Sequence, residues 1–153
     1  SATLELHTVT SYLNAVHTSG AGTFQISGGT VNLNGGSQAA SFLLPGGTLT
    51  GTGTPIGGAA TWTGGTITGA AITTFSSTLD ISGSGSKIIS GGRTVNAHDT
   101  TWGGNTGAFN NDLFINGGTF NNTGTFTDTN AFSDQMLATG TFNNSGTVNA
   151  VSP

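Results

Sequence analysis

GTFNNTGTF, residues 118–126, returns as GTFNNSGTV at residues 140–148, 22 positions later and with only conservative changes. A chain gains from spelling a phrase twice when the two copies do the same structural job on neighbouring storeys of one coil. Working outward, the unit Gly-Gly-Thr, apolar residue, then Thr or Asn appears as GGTVN from Gly28, GGTLT from Gly46, GGTIT from Gly64 and GGRTVN from Gly91. It continues as GGTFN from Gly117 and, in variant form, as TGTFN from Thr139. Its apolar residues Val31, Leu49 and Ile67 fall 18 apart, and Val95, Phe120 and Phe142 follow at steps of 28, 25 and 22. Antiparallel meanders have no reason to repeat whole phrases at such offsets.

The spacing predicts an all-β fold, a parallel β-solenoid or β-helix, right-handed, of about six or seven turns. Successive turns then stack at the inter-strand distance of about 4.8 Å, and equivalent positions lie above one another. Alternation along each strand sends Val31, Leu49, Ile67, Val95, Phe120 and Phe142 inward as a single column. The flanking pairs Thr30/Asn32, Thr48/Thr50, Thr66/Thr68, Thr94/Asn96, Thr119/Asn121 and Thr141/Asn143 face outward. Glycines take the corners, where positive φ is cheap. Phe114, Phe120, Phe126 and Phe132 recur every six residues and are expected to share an aromatic core from successive sides of the coil. The pairs Asn110/Asn111, Asn121/Asn122 and Asn143/Asn144 are expected to form amide ladders.

Helix signals are scarce, because Gly or Pro interrupts almost every window. LHTVTSYLNAV (residues 6–16) and FSDQMLA (residues 132–138) are the two stretches read as a short helix or an irregular loop. Residues 1–27 lack the repeated phrase and are read as an N-terminal cap or irregular lead-in, with the solenoid repeats occupying 28–153. Solenoid ends expose unpaired strands. The closing phrase GTVNAVSP is therefore read as cut from a longer solenoid or as stacking on another copy, and the opening Ser1 as the start of a processed or excised segment.

Composition narrows the function classes. Hydrophobic residues make up 33% of the 153 and charged residues only 5%, so hydroxyls and amides rather than ions solvate the surface. Nine Phe, two Trp and regularly placed β-branched residues argue against a disordered chain. There is no Cys, hence no disulfide framework and no thiolate metal site. With net charge -4 and only Lys87 and Arg93 as cations, the chain has almost nothing to neutralise phosphates, which argues against nucleic acid as a partner. No apolar run reaches the length of a membrane span, so no membrane insertion is expected.

From about Gly46 to Asn149 the phrases GGTLTGTGT, TWTGGTITG, TLDISGSGSKIISGGRTVN, GTFNNTGTF and GTFNNSGTV resemble repeat regions of large exported bacterial surface proteins, the haemagglutinin-like and autotransporter-passenger-like β-solenoids. That resemblance implies an extracellular, elongated structural or adhesive segment and brings no catalytic residues. The expected function is a non-catalytic structural module at the cell surface, a spacer, adhesin stalk or self-stacking fibre subunit, whose partner is itself or adjacent repeats.

Two other classes remain in view. A ligand-binding solenoid would use the outer Thr/Asn pairs, for ice or for a surface glycan; Trp62, Trp102 and Tyr12 are further rings for stacking on sugars. A carbohydrate-active enzyme would need paired carboxylates. Asp80, Asp99, Asp112, Asp128 and Asp134 are scattered, and His98 beside Asp99, with Arg93 on the same turn, is the one polar cluster, read as a solvated corner. Asp112 and the group Asp128, Asn130 and Asp134 fit no calcium-loop spacing. No metal, cofactor or catalytic residue is assigned.

Overall fold

The computed structural model describes residues 2–52, 54–103, 112–130 and 136–151. They form a parallel β-solenoid, with no helix among them. Early turns contribute two strands each, β1 (Thr3–Leu6) and β2 (Thr10–Leu13), then β3 (Thr23–Ile26) and β4 (Thr30–Leu33). Later turns contribute three: β5 (Ser41–Leu44), β6 (Thr48–Thr50) and β7 (Thr54–Ile56); β8 (Ala59–Trp62), β9 (Gly65–Ile67) and β10 (Ile72–Phe75); β11 (Leu79–Ile81), β12 (Lys87–Ser90) and β13 (Thr94–Ala97). They continue as β14 (Thr100–Trp102), β15 (Leu113–Asn116) and β16 (Thr119–Asn122), then β17 (Thr125–Asp128), β18 (Met136–Ala138) and β19 (Thr141–Asn144), and β20 (Thr147–Ala150) adds a last rung.

Three sides result. The first stacks β1-β3-β5-β8-β11-β14-β17-β20, the second β2-β4-β6-β9-β12-β15-β18, and the third β7-β10-β13-β16-β19. Every pairing is parallel. The third side starts as isolated bridges, Val16 to Ser37 to Ile56, before it widens into strands. Successive rungs of the first side lie 20, 18, 18, 19, 21, 26 and 22 residues apart.

The described residues 2–27 contribute strands to the same sheets as the repeats that follow. β1, β2 and β3 all lie in this range, and β3 shares its turn with β4 beyond it, so residue 27 marks no structural boundary. The stretch at residues 6–16 is extended rather than helical. Its carbonyls are taken by the next turn, Thr30 N–H donating to Val9 O at 3.1 Å and Asn34 N–H to Leu13 O at 2.8 Å. Thr8 turns the corner before β2 with φ of 74°, and the β-branched Val9 and Thr10 beyond it favour strand over helix. Of the second helix candidate, Met136–Ala138 is strand β18 and residues 132–135 lie outside the described residues.

The proposed single interior column is two columns. Val31, Leu49 and Ile67 stack on the second side and continue through Ile89 and Ile115. Val95, Phe120 and Phe142 stack on the third. The 28-residue step from Ile67 to Val95 is one turn of 22 residues to Ile89 and then six more around a corner. Alternation specifies inward or outward but not which side of the triangle a phrase occupies. All of these residues are fully buried except Ala138, the last on the second side, and Phe142, which is half-buried.

The six-residue run of Phe is likewise split. Phe120 on the third side and Phe126 on the first meet edge to face with ring centres 6.0 Å apart. Phe114 faces outward instead, because Leu113 and Ile115 already hold the inward positions of β15. Phe132 lies outside the described residues. The first side supplies two inward columns to the core, with Phe24, Phe42, Ala60, Leu79, Thr100 and Phe126 in one and Ile26, Leu44, Trp62, Ile81 and Trp102 in the other.

Candidate functional site

A solenoid offers three kinds of place for chemistry: outer faces, corners and ends. The outer Thr/Asn pairs do not make one face. Thr30/Asn32, Thr48/Thr50 and Thr66/Thr68 belong to the second side, where Thr30, Thr48 and Thr66 stack in register and Asn32 lies against Thr50. Thr94/Asn96, Thr119/Asn121 and Thr141/Asn143 belong to the third side. The same phrase serves both sides because each follows a glycine corner and needs only alternation.

On the third side the amides form a chain. Asn143 Nδ2 donates to Asn121 Oδ1 at 2.9 Å, and Asn121 Nδ2 donates to Asn96 Oδ1 at 2.7 Å. Asn122 and Asn144 point inward from the same strands; Asn122 Nδ2 donates to Asn144 Oδ1 at 2.6 Å and to Gly124 O at 3.1 Å. Asn144 repeats the second contact by donating to Gly146 O at 2.9 Å. The first ladder faces water, and in the second Asn122 is buried while Asn144, on the last rung of this side, is exposed. Asn110 and Asn111 lie outside the described residues.

Both cations are inside the coil. Lys87 is buried on an inward position of β12, and its Nζ donates to Gly83 O at 2.7 Å, tying down the loop before the strand. Arg93 is buried at a corner and ties three turns together, its Nε donating to Thr73 Oγ1 at 2.9 Å and an Nη to Gly51 O at 2.7 Å. Desolvation pulls its pKa down from the ordinary guanidinium value. Arg93 is thus no part of a cluster with His98. His98 and Asp99 meet at 3.1 Å on an exposed corner between β13 and β14. Asp99 Oδ1 accepts the Thr125 N–H at 3.0 Å, and that bond, with His98 second, holds its carboxyl below the usual carboxylate range.

A further group escaped the sequence because its members are 20 and 22 residues apart. Ser27 donates to Glu5 Oε1, sits 3.0 Å from His7 Nδ1, and Gln25 Nε2 reaches the same Glu5 oxygen at 3.2 Å. The in-register pair Glu5 and Gln25 is the signal that could have found it. With the hydroxyl proton given to the carboxylate and not to the imidazole, and all four groups on an open strand surface, the arrangement lacks the base geometry of a nucleophilic site. Among the described residues no three of His, Asp and Glu converge as metal ligands.

Rings divide in the same way. Trp62 and Trp102 are inward and buried, so neither is presented to a ligand; Tyr12 is 74% exposed. A groove of about 550 Å³ lies at the last rungs of the second side, lined by Ser86, Ile88, Phe114, Asn116, Ala138 and Thr139. A smaller one of about 270 Å³ sits beside His98 on the third side.

No protein-family model, no curated protein and no solved structure matches this chain. What stands for it is the fold itself, a parallel β-solenoid built of repeated phrases.

Proposed function

We propose that this chain is a non-catalytic structural segment, a β-solenoid spacer, adhesin stalk or fibre subunit of a bacterial surface, that joins further rungs at its ends. The observation that carries the reading is the way the inward columns run out into water. Leu4 continues the column of Phe24 and is 44% exposed, and Val148 continues that of Phe126 and is 51% exposed, whereas Phe24 and Phe126 are buried. One more rung at each end would cover these side chains and pair the open β1 and β20 edges. Because Leu4 and Val148 are already about half covered, burying the rest of each is worth about 0.7–1.5 kcal/mol per side chain, in addition to the backbone ladder. The added rung can come from a continuation of the chain or from a second copy. The surface location rests on the resemblance of these phrases to repeat regions of exported solenoids.

Negative-stain microscopy and sedimentation velocity of residues 1–153 over a wide concentration range test the self-joining form. Rods whose lengths rise with concentration are expected. A Leu4→Lys/Val148→Lys double variant, with a charge on each exposed column end, should stay as single short particles. Short particles from the unaltered chain at every concentration would remove self-stacking.

A further inference from the structure

The outer face of the second side is an uncharged lane. One of its columns runs Thr10, Thr30, Thr48 and Thr66, and then changes to Ile88 and Phe114. The neighbouring column keeps hydroxyls and amides throughout. Ser90 Oγ donates to Thr68 Oγ1 at 3.0 Å, and Thr139 Oγ1 donates to Asn116 Oδ1 at 3.0 Å one storey further. Thr, Ile and Phe all suit a strand, so what changes along this column is polarity, from hydroxyls to apolar surface, and not strand propensity. It coincides with the groove of about 550 Å³, within the usual size range of small-ligand sites.

We propose that this groove binds a neutral polysaccharide, with the Phe114 ring stacking on the apolar C–H face of a sugar and Asn116, Ser86 and Thr139 hydrogen-bonding its hydroxyls. Charge selects the occupant. The chain carries -4 overall, yet no charged residue lines the groove among the described residues. Glu5 and Asp80 lie on outward positions of the first side, Asp128 ends β17 on that side, Asp112 precedes β15 but is not in the groove lining, His98 and Asp99 share a corner of the third side, and Lys87 and Arg93 are inside the coil. A phosphorylated, sulfated or uronic polymer would find no ionic partner here, and an ice surface requires a flat array, not a concave one built around a ring. An uncharged sugar needs an apolar platform rimmed by neutral donors and acceptors, which is the set present. Asn116 Nδ2 keeps its donor capacity while its Oδ1 accepts from Thr139, so the pair presents a fixed amide edge. The lane also extends in the direction a polymer needs, along the rod.

Affinity electrophoresis in gels cast with hydroxyethyl cellulose, galactomannan or, as the charged control, pectate tests the assignment on residues 1–153. Retardation by at least one neutral polymer, unchanged by added salt, is expected. Phe114→Ala should weaken it at least tenfold, Phe114→Trp should stay within about threefold of the parent, and Asp80→Asn, on the outer face of the first side, should leave it unchanged. Phe114 faces outward, and far-UV circular dichroism on each variant confirms that the coil is intact. Absence of retardation by both neutral polymers, retardation indifferent to Phe114→Ala, or retardation by pectate alone that salt abolishes overturns the proposal. Rod formation is read separately, so glycan binding and end-joining can fail independently.

Discussion

Asn121 stands between two neighbours of its own kind, giving its amide hydrogens to Asn96 and taking a hydrogen bond from Asn143, at 2.7 and 2.9 Å. The three residues share one outward column of the third side, so the backbone register that aligns the strands also aligns the amides. Each Asn is both donor and acceptor, and a ladder of them has a direction that a column of ionised Asp, which only accepts, could not copy.

That position sets up a graded test. Asn121→Ala removes two hydrogen bonds and should cost about 1–2 kcal/mol, while Asn143→Ala removes one and should cost about half as much. Asn121→Asp should be worse than Ala near neutral pH, because a carboxylate cannot donate to Asn96 Oδ1. Guanidinium unfolding midpoints order the three variants. Equal effects of Asn121→Ala and Asn143→Ala would show that the ladder adds nothing beyond the backbone.

Two glycines with the same backbone separate conformational strain from crowding. Gly47 and Gly117 both have φ of 69°, but a Cβ at Gly47 would lie 2.8 Å from the Gly28 carbonyl of the turn below, whereas at Gly117 it would meet nothing within 4 Å. Gly117→Ala should therefore cost only the left-handed penalty, about 1–2 kcal/mol, and Gly117→Asn less. Gly47→Ala must also push two rungs apart and should cost at least about twice as much. Thermal midpoints and amide exchange around Gly28 measure the difference.

Arg93 is the strongest single link between turns. Arg93→Ala takes a donor from both Gly51 O and Thr73 Oγ1 and leaves a cavity, and the loss should be about 3–5 kcal/mol. Arg93→Met, which fills space without a charge to desolvate, should recover a good part of it. A Lys at this site would not recover the paired contacts, because an ammonium lacks the planar fork.

Asp99 supplies a pH dependence of known sign. Its folded-state pKa is depressed, first by the Thr125 N–H and then by His98. A depressed carboxylate contributes stability above its unfolded pKa of about 3.9 and loses that contribution as pH falls through the lower folded value. Exchange of the Thr125 amide should therefore accelerate relative to its neighbours in strongly acidic solution and not between pH 5 and 8. Asp99→Asn, which keeps an acceptor but cannot titrate, should abolish the acid-induced change. The amide of Thr125 followed by NMR from neutral to acid decides it.

How far the sequence reached can be followed along single residues. The phrases at residues 118–126 and 140–148 are in fact adjacent rungs, Phe120 over Phe142 with rings stacked 5.6 Å apart and Phe126 over Val148. Val31, Leu49 and Ile67 were legible as a stack for the same reason, equal turn lengths of 18. The outward Phe114 and its groove were not legible. Nothing in ILE-like and PHE-like hydropathy tells an inward ring from an outward one until the corner before it fixes the phase, and here Leu113 and Ile115 took the core positions. The Glu5, His7 and Ser27 group was hidden in a segment that carries no repeated phrase.

By itself the sequence determined that the chain coils with its turns parallel, because repeated alternation with glycine corners has one economical solution, stacking like on like. Which side of the triangle each phrase occupies was decided only by the tertiary structure. Two-residue alternation carries one bit, inward or outward, while the side depends on how many residues each corner absorbs, and that is set by packing against the turn below. The division of the Thr/Asn pairs over two faces, the burial of Lys87, Arg93 and both Trp, and the outward orientation of Phe114 all follow from those corner lengths.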